Sequence, residues 1–313
     1  MNETSLVFKR IRNIRNRNIA EFISSNYFSE RDFYRSQGID ELNPFYVIQN
    51  YINTYDVSEI QLNSLAAFME KPIDQVGALL IDMSNKGYLV YDSRKKKAVV
   101  KDRFKYFLKA KNGEIDYDVI RLTSSVDSKP NAIIDLNTLN LEVYGVPEVS
   151  ISDSQEVYIY PYDKTISFKK NRDFTFDGQV HMGLLDFYSR NSSFVYDSFM
   201  LKMNYVDSLA FRVYSNDSLK LSDSLIRVKN VIEDMVGKIY IDQPFNKSGL
   251  QKFEEFPKFL SNDVSYVFFN SRSIQDSTLV PENFYFAVDP FIFDSISTFT
   301  TEGLAFDGSL NSA

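Results

Sequence analysis

The 313-residue chain has no cysteine, no tryptophan and a single histidine, His181. The missing cysteines exclude disulfides, thiolate zinc sites, iron–sulfur clusters and a cysteine nucleophile at once. They do not fix a compartment, because large exported cores fold without disulfides. One imidazole excludes any site or mechanism that needs two. The 11 glycines fall singly, so neither GxGxxG nor GxxxxGK[ST] occurs and no phosphate-cradling loop is encoded. No apolar run approaches the roughly 18 residues that would span a bilayer. Met1 to Asn18 is basic but has no apolar block behind it, and is not expected to be a signal peptide.

What is present is globular. The composition is 44% hydrophobic and 25% charged, with 27 Phe and 20 Tyr; such rings suit strands and large buried areas. Charge is unevenly placed. Residues 1–113 hold 18 Lys and Arg against 13 Asp and Glu, and the remaining 200 hold 17 against 29. A basic front and an acidic back predict two units: a helical one over 1–113, a linker or first strand over 114–131, and a mainly-β body over 132–313.

In the front unit, Ile11, Ile14, Ile19, Phe22 and Ile23 accompany Lys9, Arg10, Arg12, Arg15 and Arg17, which reads as a helix to about Ser24. A second helix runs from Asn43-Pro44 to Tyr55. Ser58 is placed to cap a third, reaching Glu70. Pro72 opens a fourth, whose Ile73, Val76, Leu79, Leu80 and Met83 make an apolar stripe before Gly87. Tyr88 to Tyr91 and Ala98 to Val100 form a hairpin, and a last helix spans about Asp102 to Lys111. Leu65 to Met69, Ile73 to Lys86 and Gly87-Tyr88-Leu89 resemble a winged-helix domain over about 50 residues. The resemblance implies a helix for the major groove and a tip, Arg94, Lys95, Lys96 and Lys97, for phosphates. Asp74, Gln75, Asp82, Ser84 and Asn85 on that helix oppose it, since carboxylates repel a phosphate backbone. A structural or protein-contact winged helix is the expectation, and nucleic acid is not an expected partner.

Behind Asn112-Gly113, Ile115 to Leu122 reads as a first strand and Ser124 to Asn131 as a polar loop. Short apolar stretches follow at Val157 to Tyr160, Ile166 to Phe168, Phe174 to Phe176, Phe194 to Tyr196, Phe199 to Leu201 and Leu209 to Phe211. Turn residues separate them. A helix is expected over Val228 to Met235, and a helix or ordered excursion over Gly249 to Phe259. Many short strands without crossover helices leave a right-handed parallel β-helix, which is favoured, or a β-sandwich. An internal echo decides the preference. Phe174 to Gly183 and Leu304 to Ala313 share the pattern apolar, any, Phe, Asp, Gly, any, aliphatic, any, any, small. Two Phe-Asp-Gly corners suggest repeated rungs. The second copy meets the last residue, so the chain is expected to be part of something longer.

Candidate chemistry is thin. His181 near Asp177 and Asp186 could form a general base. Clustered acids, among them Asp173, Asp177, Asp186, Glu233 and Asp234, could work in pairs on a sugar or hold calcium, although no calcium-loop spacing occurs. Tyr158, Tyr160 and Tyr162 fall on one face of a strand and could stack on a glycan. No cofactor and no metal site is expected.

Asp153 to Pro161, Lys169 to Gly178, Val228 to Asp234 and Asp289-Pro290-Phe291 resemble the middle of very large exported proteins of Bacteroidota. The resemblance implies a multi-domain, envelope-associated or secreted parent, and it carries over no catalytic residue. The leading expectation is a non-enzymatic structural or protein-interaction module, with other domains of the parent chain or envelope proteins as partners. The alternatives are a carbohydrate-binding or carbohydrate-active β-helix and, behind it, nucleic-acid binding through the front unit.

Overall fold

The computed structural model describes residues 6–14, 17–35, 43–214, 225–227, 232–268, 284–294 and 305–312. Residues 228–231, Leu304 and Ala313, used in the sequence reading, lie outside them. The chain divides into two compact units, Met1–Ile11 with Glu21–Val119, and Arg12–Ala20 with Ile120–Ala313. Among the described residues the protein is mainly β, with five helices and one large, unclosed antiparallel sheet.

The opening segment is not a helix. Leu6–Ile14 (β1) and Arg17–Ser24 (β2) are paired strands. Their β-branched and aromatic residues favour extended backbone, and a short apolar run such as Ile19 to Ile23 does not separate helix from strand by period. The first unit continues with α1 (Glu30–Arg35), α2 (Pro44–Tyr55), β3 (Ile60–Gln61), α3 (Leu62–Met69), α4 (Ile73–Asn85), β4 (Leu89–Asp92), β5 (Lys97–Val100) and α5 (Asp102–Lys111). Asn43 caps α2, its Oδ1 accepting the Phe45 amide at 3.0 Å. Ser58 caps nothing: Gln61 holds the cap position of α3, and β3 intervenes. At the end of α4 the amides of Gly87 and Tyr88 donate to Ser84 and Met83, and Gly87 has a φ of 79°, a left-handed stop that glycine permits without strain. β5 lies between β3 and β4. Phe45 sits at the centre of this core, its ring centroid 4.9 Å from Phe107, 5.2 Å from Phe104 and 4.8 Å from Tyr88. Burial there pushes the Tyr88 phenol up to about 12.

The second unit contains β6 (Arg121–Val126), β7 (Ala132–Ile134), β8 (Leu141–Tyr144), β9 (Val149–Ser152), β10 (Val157–Pro161), β11 (Thr165–Phe168), β12 (Phe174–Met182), β13 (Leu185–Val195) and β14 (Met200–Tyr214). Next come β15 (Leu225–Arg227), β16 (Ile232–Tyr240), β17 (Lys258–Ser261), β18 (Ser265–Phe268), β19 (Phe284–Val288), β20 (Ile292–Phe293) and β21 (Gly308–Ser312). Ser124 to Val126, expected in a loop, belong to β6. Ser124 is fully buried, donating to the Tyr144 carbonyl and accepting from Asn131. The expected helix at Val228 to Met235 is a strand from Ile232 onward, and no helix forms across Gly249 to Phe259.

The parallel β-helix is wrong. Among the described residues the pairings from β6 to β21 are antiparallel. Two-residue to four-residue turns join β12 to β13 and β13 to β14, and such short links cannot return a chain to a parallel register. Met200-Leu201 and Leu209 to Phe211, read within separate rungs, belong to one strand of 15 residues, Met200–Tyr214, which Phe199 immediately precedes. A register shift between Met203 and Val206 lets polar residues interrupt its alternation.

The long strands β12, β13, β14 and β16 form a trunk that forks at both sides. β12 pairs through Gly178 to Met182 with β10 and through Phe174 and Thr175 with β11. β16 pairs through Gly237 to Tyr240 with β17, and through Glu233 with β18. The sheet curls over its apolar face. Phe187 on β13 and Phe259 on β17 are three pairings apart, roughly 14 Å in a flat sheet, yet their rings lie 4.8 Å apart. Val180, Leu185, Phe187, Phe194, Leu201, Leu209, Met235 and Phe259 are fully buried on that inner face.

The internal echo is real but encodes a strand pairing, not a corner. Gly178 faces Pro161 and Gly308 faces Val288. The amide one residue further on, Tyr162 or Asp289, donates to the carbonyl of Asp177 or Asp307 at 2.9 Å in both copies. A Cβ on Gly178 would lie 2.6 Å from the Tyr160 carbonyl oxygen, and one on Gly308 2.1 Å from that of Ala287. Close approach of the facing strand is why glycine stands there. Gly178→Ala is therefore expected to cost about 1–2 kcal/mol by forcing the two backbones apart, read by urea denaturation.

Candidate functional site

Alternation along the trunk strands divides apolar from polar. Val157, Ile159, Val180 and Met182 go inward. Tyr158 and Tyr160 on β10, Gln179 and His181 on β12, Asp186 and Tyr188 on β13 and Ser208 on β14 go outward. Register sets them in two rows. Tyr158 faces His181, which faces Asp186, which faces Ala210; Tyr160 faces Gln179, which faces Tyr188, which faces Ser208. The second row continues through Glu233, Tyr266, Ala287 and Ser309.

Asp186 is the electrostatic centre. It is 6% exposed. Its Oδ1 accepts from Gln179 Nε2 at 3.0 Å and lies 2.8 Å from His181 Nδ1; its Oδ2 accepts from Arg212 Nη2 at 2.8 Å. Burial alone would raise its pKa. Hydrogen bonds from His181 and Gln179, with the charges of His181 and Arg212, outweigh that and hold the carboxyl below its ordinary value. A carboxylate so engaged is a poor proton acceptor, and the His181 nitrogen it holds is equally occupied.

Asp177 does not join this pair. It lies four residues before His181 on the same strand, roughly 13 Å away, and its Oδ1 accepts the Asn191 amide at 2.7 Å. Asp173 likewise secures a turn, accepting the Tyr196 amide at 2.8 Å. Glu233 is raised, first by burial and then by Asp234, while Asp234 accepts from the Tyr205 hydroxyl at 3.2 Å. No group of three or more His, Asp or Glu side chains suited to a metal occurs among the described residues.

The tyrosines are less committed. Tyr158 and Tyr160 are half-buried and Tyr162 is 51% exposed. The Tyr158 ring lies near-parallel to His181 at 6.3 Å. All three phenols are raised chiefly by burial; nearby carboxylates add to it, Glu148 beside Tyr160 and Asp207 beside Tyr162. Arg190 and Asp207 form an ion pair at 3.2 Å on the adjoining strands. Sequence reasoning missed Gln179, Tyr188, Arg212 and Tyr266. The available signal was alternation, since Arg212 follows the buried Phe211 and Gln179 precedes the buried Val180.

The basic tip of the front unit is partly neutralised. Asp92 Oδ1 accepts the amides of Arg94 and Lys95 at 3.0 Å each, and Lys97 pairs with Glu59 at 2.6 Å. On α4, Asp82 pairs with Lys86 at 2.6 Å, and Ile73 and Ile81 are exposed. A cavity of about 340 Å³ in the same unit is lined by Tyr46, Ile52, Val100, Lys105, Leu108 and Lys109, among others. No family model, curated protein or solved structure matches this chain.

Proposed function

We propose that this chain is a non-catalytic interaction module whose contact surface is the tyrosine-bearing outer face of the β unit. The observation that carries the reading is the contrast on that face. The one His–Asp pair is locked in a four-residue network, while Tyr160 and Tyr162 keep ring surface exposed beside it. Tyrosines on a stiff sheet offer large contact area at little entropic cost, which suits recognition more than proton transfer. The front unit, with its helix pair, hairpin and the order β3-β5-β4, supports a winged-helix reading. The apolar and acidic outer face of its α4 favours protein over nucleic acid. The resemblance of the β unit to exported Bacteroidota proteins supports an envelope-associated or secreted parent, with envelope proteins as partners.

The test pairs a binding assay with an activity screen. The Tyr160→Ala, Tyr162→Ala double variant is expected to keep its Tm within about 2 °C and to lose at least tenfold in affinity for Bacteroidota envelope proteins. Unchanged affinity would move the contact surface elsewhere. Turnover of polysaccharides or glycosides that disappears in Asp186→Asn would replace the reading with an enzymatic one.

A further inference from the structure

The cavity of about 340 Å³ beside α5 is lined by nine residues, all of them in the first unit. One wall follows from helical spacing. Lys105, Leu108, Lys109 and Asn112 recur at i, i+3, i+4 and i+7, which sets them on one face of α5 and its cap. Leu108 is buried, whereas Lys105 and Lys109 are exposed. α2 contributes Tyr46, Gln49 and Ile52 at three-residue intervals, and β5 contributes Val100. Ile52 and Val100 are half-buried. The cavity therefore joins a partly wetted apolar wall to two side chains that end in ammonium groups, at a volume typical of small-molecule sites.

The fold itself gives these two lysines little to do. Like charges at i, i+4 repel along a helix. Elsewhere in the unit Lys86 meets Asp82 at 2.6 Å, Lys97 meets Glu59 at 2.6 Å and Lys111 meets Glu30 at 2.8 Å. Lys105 and Lys109 pair with no carboxylate among the described residues. Lys109 lies in the last turn of α5, where the helix dipole favours a cation; Lys105 lies a turn earlier and gains nothing from it. Glu114, which also lines the cavity, is engaged elsewhere. The Tyr46 hydroxyl donates to Asn112 Oδ1 at 3.2 Å, and Asn112 Nδ2 donates to Glu114 Oε1 at 3.2 Å.

We infer that this cavity binds a small monocarboxylate with an apolar body, the carboxylate held by Lys105 and Lys109 and the body against Ile52, Val100 and Leu108. Size supports that class. An apolar cavity of about 150 Å³ takes one benzene, so about 340 Å³ accommodates a naphthalene-sized or medium-chain body together with its headgroup. Charge supports it too. Two neighbouring ammonium groups supply charge-assisted hydrogen bonds to one carboxylate. Glu114 opposes a second negative charge on the ligand, which sets a monocarboxylate above a dicarboxylate or a polyanion. The tyrosine-bearing face of the β unit supplies no residue to this site.

The probe is 2-naphthoate, titrated onto the whole chain by its own fluorescence, which no tryptophan overlaps. Saturable one-to-one binding is expected. Lys105→Gln with Lys109→Gln should weaken it at least tenfold, and so should exchanging the probe for the neutral naphthylmethanol. Arg94→Gln with Lys95→Gln, the same change of charge at the hairpin tip, should leave it unaltered. All four side chains are exposed, so both double variants should keep the wild-type circular dichroism spectrum. A naphthalene dicarboxylate should bind no more tightly than the monocarboxylate. Absence of saturable binding would overturn the inference. So would equal losses from the two double variants, which would mark general charge attraction, or naphthylmethanol binding as tightly as naphthoate, which would leave the lysines without a role. A dicarboxylate that binds more tightly would overturn the choice of a monoanion.

Discussion

Phe187→Ala is expected to lower the stability of the β unit by about 3–5 kcal/mol, the upper range for deleting a buried ring. Phe187 is completely buried, and its ring meets Phe259 at 4.8 Å across the curled sheet. The surroundings cannot collapse into the gap. β13 is held on one side by β12 and on the other by β14 along nearly its full length, and Val180 and Leu209 on those strands are pinned by the same ladders. Lost transfer energy and an unfilled cavity therefore add. Urea denaturation followed by far-ultraviolet dichroism measures the loss. A cost below about 1.5 kcal/mol would mean that the sheet does not close over its inner face as the Phe187 to Phe259 contact requires.

That contact joins strands 72 residues apart in the chain, which explains what the amino-acid pattern could and could not reveal. Period-2 stretches such as Val157 to Tyr160 and Ile166 to Phe168 were legible because local alternation reflects local burial. The direction of pairing was not, because parallel and antiparallel strands alternate alike. The Phe-Asp-Gly echo misled for a related reason. Glycine serves both a bend and a close approach, and only the 2.6 Å between a built Cβ at Gly178 and the Tyr160 carbonyl separates them. The front helices α2 to α5 were readable from their apolar stripes, with Asn43 and Gly87 marking ends correctly and Ser58 marking one wrongly. The strands β1 and β2 were not, since their isoleucines satisfy either period.

The candidate site was legible one residue at a time. His181 and Asp186 stood out by type, and Tyr158 and Tyr160 by alternation on one strand. Their partners Gln179 and Arg212 depend on register between three strands, and a one-residue slip would send them to the opposite face. Asp177 is one residue closer to His181 in sequence than Asp186 is. The strand separates it while the β12–β13 turn brings Asp186 alongside.

Asp186→Ala is expected to cost roughly 3 kcal/mol at neutral pH, because it strands donors on Gln179, His181 and Arg212 that now share one carboxylate. The Arg212 side chain is 42% exposed, and its rehydration keeps the cost below that of a fully buried pair. The pH dependence has a definite sign. The folded-state pKa of Asp186 is lowered, so its contribution is complete above the unfolded value of about 3.9 and disappears as pH falls through the folded one. Wild-type protein should lose the part of its stability that is linked to ionisation of Asp186 on acidification below about pH 4, whereas Asp186→Asn, stable or not at neutrality, should lose correspondingly less over the same window. The measurement is the difference between the two chains in urea midpoint from pH 7 to pH 2.5. Parallel curves would show that the carboxylate holds the outer face through packing alone, and the charge network would then have no part in orienting His181 and Arg212 beside the tyrosines.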